Sequence, residues 1–210
     1  VAQVKNLLNK NQKVKIMNEK LLKERIEVLH KIIAGTYEDY FDPTTNQGQR
    51  GLFETVLGAT IWYLPTGGEL YSGKISAAAL NSLTTAPEQT KLVEEHFFPR
   101  KIGGRFLYEK FKNSQGKLTK EELQDIFVNK LGRYNLVLKS ENDGLKKYQR
   151  IENMNLGGHS FLEFCETNLE ADTYAQAGIE LEDFSLEKYK EFKTYKRRLK
   201  NGFNDAEFFL

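Results

Sequence analysis

Glu95 and His96 stand side by side in the segment Glu94-Glu95-His96-Phe97-Phe98-Pro99-Arg100-Lys101-Ile102-Gly103-Gly104. A neutral imidazole can take a proton from water near physiological pH. A neighbouring carboxylate can hold a divalent cation that offsets the charge building on a phosphate. Pro99 and Gly103-Gly104 predict a tight turn after a short extended stretch, so the chain would leave the pair sharply. This is chemistry suited to phosphodiester hydrolysis, although one His beside one Glu, taken alone, is more often a structural histidine. A second segment, Tyr134 to Tyr148, places Asn135 before a short apolar stretch and Asn142 in the first turn of a helix capped by Ser140. Amide oxygens can ligate a hard cation or orient an imidazole through its free nitrogen. Asparagines also form turns with no ligand at all.

Taken together, Glu95-His96…Pro99…Gly103-Gly104 and Asn135 to Asn142 resemble the two halves of the HNH (ββα-metal) endonuclease motif. The likeness is to the zinc-free variants, whose last ligand is Asn, and to HNH-type restriction and phage endonucleases. The resemblance implies an α+β fold, mostly helical, with an embedded ββα-metal motif. It implies His96 as general base, Glu95 and Asn142 as metal ligands, and Asn135 as the residue that orients the histidine. Lys146 or Lys147 would approach the scissile phosphate, and Arg100, Lys101 and Arg105 would contact phosphates beside it, their alternative being exposed turn residues. The implied cofactor is Mg2+ (or Mn2+), and the implied substrate is double-stranded DNA. Cutting both strands in the restriction manner implies a homodimer. Two departures stand out: Glu occupies position 95 where the family has Asp, and an insertion from Phe111 to Gly132 separates the halves. The rival expectation is a non-catalytic DNA-binding or phage accessory protein, and a third is a nuclease acting on RNA.

Composition narrows the chemistry. One cysteine, Cys165, allows neither an internal disulfide nor a cysteine-based zinc cluster. With three histidines, His30, His96 and His159, a metal would be held mainly by oxygen, which favours a hard ion. The apolar share of 40% and charged share of 29% describe an ordinary globular chain. No apolar run reaches the roughly 18 residues of a membrane span. With no signal-like start, a cytoplasmic setting is expected. Net charge is only +2, but lysines crowd positions 5–31 and a second basic run covers Lys193 to Lys200. Such runs are either solvated helix faces or phosphate contacts.

These residues need elements to position them. Apolar spacing predicts one or two helices over 4–33, broken near Asn9 to Gln12 and ended by Gly35. A loop over 42–49 follows, then a core helix over Leu52 to Leu64 that includes Trp62 and Tyr63. Glu69 to Ser72 is expected as a short strand, Ser76 as the cap of a helix over Ala77 to Leu83, and Pro87 as the opening of a helical stretch to Val93. Arg105 to Phe111 is regular structure of either type. Thr119-Lys-Glu-Glu122 is a capping box for a helix to Leu131 that stops at Gly132. From Phe161 onward two or three helices are expected, broken at Gly178 and near Ser185. The chain divides as a helical region 1–92, the motif 93–150 and a helical region 151–210, in one compact unit.

Overall fold

The computed structural model describes residues 18–203. The predicted start of the first helix, its break near Asn9 to Gln12 and half of the first lysine run lie outside the described residues. Helix α1 spans Glu19–Phe41, with the Asn18 side chain accepting from the Leu21 amide. It runs straight past Gly35, where a stop was expected. Leu22, Ile26, Leu29, Ile33 and Tyr40 form one buried stripe along it. Burial of that stripe outweighs the roughly 1 kcal/mol that a helical glycine costs.

Helix α2 spans Gln47–Trp62 and starts inside the expected loop. Its start is set by a capping box: Gln49 N donates to Asn46 Oδ1, and the Asn46 amide donates to Gln49 Oε1. The expected core placement of its last residues does not hold, because Trp62 is 47% and Tyr63 72% exposed. Strand β1 is Tyr71–Ser76, and Ser76 caps helix α3, Ala77–Thr85, as its sequence predicts. Pro87 opens a turn rather than a helix, and strand β2 follows at Leu92–His96.

Helix α4 covers Arg100–Asn113, so Gly103 and Gly104 are helical and the expected turn is absent. Pro99 sits at the N-cap, where its missing N–H costs nothing. Gly104, with Gly58 of α2, has a packing reason. A Cβ on Gly104 would lie 2.2 Å from the Glu54 carbonyl oxygen, and one on Gly58 would lie 2.0 Å from that of Arg100. Bare backbone at both positions lets α2 and α4 cross in direct contact.

Helix α5, Lys120–Ile126, begins at the expected Thr119 capping box and continues through a π-type turn, Phe127–Leu131, to Gly132. Strand β3 is Tyr134–Leu138 and leads at once into helix α6, Lys139–Leu145. Ser140 therefore lies inside α6 and is not its cap. Helices α7, Phe161–Thr167, and α8, Leu169–Gln176, precede a short strand β4, Leu181–Asp183. Helix α9, Leu186–Lys200, closes the described chain.

The class is α+β, mainly helical, with one mixed four-stranded sheet in the order β2-β3-β1-β4. β1 runs parallel to β3, while β2–β3 and β1–β4 are antiparallel. One large hydrophobic cluster takes residues from Leu22 to Tyr195, including Leu136 on one face of β3. Val137, on the other face, packs with Leu145 of α6 and Tyr174 of α8 in a smaller cluster. Cys165 is buried. No helix among the described residues is long and apolar enough to cross a membrane.

Candidate active site

Side chains alternate across a strand, and this decides how the predicted residues are distributed. In the β2–β3 ladder Glu95 lies opposite Asn135 and His96 opposite Tyr134. Glu95 and Asn135 project toward α8, whereas Glu94 and His96 project to the opposite face. The sequence neighbours Glu95 and His96 are thus separated by the sheet itself.

On the α8 side a polar network is enclosed. Glu95 is 3% and Asn135 0% exposed. The Tyr174 hydroxyl donates to one Glu95 oxygen, and Gln149 Nε2 donates to the other at 2.5 Å. Asn135 Nδ2 donates to Glu170 at 2.9 Å and to the Tyr174 oxygen at 3.1 Å, while the Ser72 hydroxyl donates to its Oδ1. Both oxygens of Glu95 and both polar atoms of Asn135 are therefore paired, as a structural buried network requires. Burial pushes the Glu95 carboxyl up, the Glu170 charge adds to this, and the Tyr174 and Gln149 bonds oppose it. A raised value in the folded state means a proton held more tightly there. The resulting stability is complete below the unfolded carboxylate value of about 4.3 and fades as pH rises through the folded value. The urea midpoint of the wild type relative to that of Glu95→Gln should therefore fall as pH rises above about 4.3. Parallel profiles would show that Glu95 carries no such linkage.

On the other side His96 lines a cavity of about 250 Å³ whose walls include Trp62, Glu94, Pro99, Arg100 and Gly132. The α2–α4 crossing places two of these walls, because Trp62 ends α2 and Arg100 begins α4. The Trp62 ring lies edge-on to His96 with centroids 5.1 Å apart, and the Arg100 guanidinium sits 3.9 Å over the indole. Tyr134 flanks the imidazole at 5.9 Å. His96 Nδ1 is covered and has no hydrogen-bond partner. Burial holds the imidazole below its usual value, against the opposing pull of the Arg133 and Gly132 backbone and the Glu94 carboxylate. Burial therefore favours the neutral imidazole.

Glu94 is the carboxylate that shares this face. It accepts from the Tyr189 hydroxyl and from Lys193 Nζ, each at 2.8 Å, both on α9. Burial opposes its ionisation, but these two bonds and the Lys193 charge prevail and hold its carboxyl below the usual range. Glu94→Gln should lower the His96 titration midpoint further, read from the imidazole proton shifts by NMR. An unchanged midpoint would mean that the two groups do not sense each other.

The remaining predicted residues lie elsewhere. Asn142 belongs to α6, which packs on the Val137 face of the sheet. α6 also starts at the Leu138 end of β3, four residues or about 13 Å along the strand from the His96–Tyr134 pair. Lys146 pairs with Asp143 at 2.5 Å and Lys147 lies 4.5 Å over the Tyr148 ring, both next to α6. Lys101 reaches Glu54 at 3.8 Å, and Arg105 stacks over Phe161 at 4.3 Å. Of the nine residues, only His96 and Arg100 meet in the cavity. The expected Mg2+ (or Mn2+) ligand set does not fit: Glu95 and Asn142 share no space with His96. Among the described residues no three His, Cys, Asp or Glu side chains group closely enough to hold a metal ion.

Sequence reasoning missed Glu94, Trp62, Tyr189 and Lys193. The period of two along β2 is a signal that could have found Glu94, since residues two apart share a face. Tyr189 and Lys193, almost a hundred residues away, left no such signal.

No family model matches the chain, and no curated protein or solved structure matches it significantly.

Proposed function

We propose that this chain cleaves phosphodiester bonds in nucleic acid, with His96 as the proton acceptor. The observation that carries the reading is that His96 lines the cavity together with Arg100 and the Glu94 carboxylate, with burial favouring its neutral form. An imidazole kept neutral by burial can accept the proton of an attacking oxygen. Arg100 would pair with the charge that gathers on the phosphate, and ionised Glu94 would favour the imidazolium once formed. Half-exposed Trp62 at the rim supplies an aromatic surface of the kind on which an unstacked base rests.

The more specific form, a sequence-specific, metal-dependent, homodimeric enzyme acting on double-stranded DNA, rests on the resemblance alone. Its ion would need ligands other than Glu95 and Asn142 to act beside His96. The test is incubation with end-labelled DNA and RNA oligonucleotides and plasmid, in magnesium, in manganese and in EDTA. Discrete fragments or a smear support a nuclease, and the substrate and ion that allow them define its class. Retarded but intact nucleic acid under every condition would favour the non-catalytic binder.

A further inference from the structure

Helix α9 carries seven Lys or Arg residues against two Glu. Tyr189, Phe192 and Tyr195 face the core. Lys190, Lys193, Arg197 and Lys200 recur at intervals of three, four and three, which places them on one stripe beside that buried face. The stripe spans ten residues, about 15 Å of helix. Lys193, the second residue of the stripe, pairs with Glu94 of the cavity lining, so the stripe runs past the wall of the His96 cavity. Lys196 Nζ donates to the Glu88 carbonyl at 2.7 Å, a second bond that holds the helix in this position. Lys190, Arg197 and Lys200 have no ion-pair partner among the described residues. Cations in the last turn answer the helix dipole, but Lys190 lies in the first half, where that reason fails.

We infer that the Lys190–Arg197–Lys200 edge of α9 is the track on which one nucleic-acid backbone lies as it enters the His96 cavity. This inference rests on the reading of the chain as a nuclease. Three unpaired cations in line match a polyanion whose charges follow one another about every 3.4 Å per strand of duplex. The contacts are to phosphate, so the track sets position without reading sequence. Its salt dependence is the signature.

The test replaces Lys190, Arg197 and Lys200 together by Gln, in a His96→Ala background so that cleavage does not intervene. Fluorescence anisotropy with labelled single-stranded DNA, RNA and duplex DNA, repeated across salt concentrations, gives affinity and slope. The triple variant is expected to bind at least about tenfold more weakly and to lose about 2–3 units of the log–log salt slope. Unchanged affinity and slope would overturn the track, as would binding to phosphatidylserine vesicles with none to oligonucleotides. The two proposals fail separately. Cleavage that needs His96 together with an unaltered triple variant removes the track alone. Weakened binding together with full cleavage by His96→Ala removes the nuclease site and leaves the track.

Discussion

His96→Ala is expected to slow oligonucleotide cleavage by about 10²- to 10⁴-fold, the range set by loss of a general base, with affinity held within about threefold. The separation of the two effects follows from the geometry. The imidazole is largely enclosed by Trp62, Tyr134 and Arg100, whereas the proposed backbone contacts lie along α9. Truncation also removes the ring contacts with Trp62 and Tyr134, so a melting curve accompanies the assay to show that the variant is folded. The space left beside a cavity of about 250 Å³ suits a small exogenous base. Added imidazole should restore part of the lost rate, which a purely structural role would not allow. Equal single-turnover rates for wild type and His96→Ala would end the assignment. In the wild type, a neutral His96 is the active form. Cleavage should therefore decline as pH falls through the lowered imidazole value, below the usual 6.5 or so.

Gly104→Ala is expected to lower the melting temperature by roughly 6–12 °C, a loss of about 3 kcal/mol in a chain of this size. The methyl group would sit 2.2 Å from the Glu54 carbonyl oxygen, which is helix backbone and cannot swing aside. α2 and α4 must then part, and the Trp62 and Arg100 walls part with them. Activity should fall together with stability. Gly58→Ala, with 2.0 Å to the Arg100 carbonyl oxygen, should act in the same direction. Gly35 supplies the opposite control, because nothing lies within 4 Å of its added Cβ. Gly35→Ala should gain about 0.5–1 kcal/mol from helix propensity alone. Melting of Gly104→Ala at or above the wild-type temperature would refute the close-packing account.

Local signals in the chain located several elements well. Thr119 with Glu122, and Ser76 before an apolar run, mark helix starts because their bonds close within one turn. The extended nature of the segment around His96 was likewise readable. Gly103-Gly104 misled for a physical reason: glycine marks a turn through its free backbone, but it also marks a helix where another backbone passes close. Nothing within one segment distinguishes those two uses. Pro99 misled in the same way, as a helix cap resembles a turn proline.

Periodicity and caps, which act over a few residues, indicated the mainly helical character of the α+β class, while His96 became a candidate base through the resemblance to the HNH motif. Which groups surround that base was decided by tertiary structure. Strand alternation sent Glu95 away from it and brought Glu94 to it, and the sheet carried Asn142 to the other face. Tyr189 and Lys193 reached Glu94 from almost a hundred residues downstream. Such contacts depend on which face of each element is buried, and that is settled only when all the elements pack together.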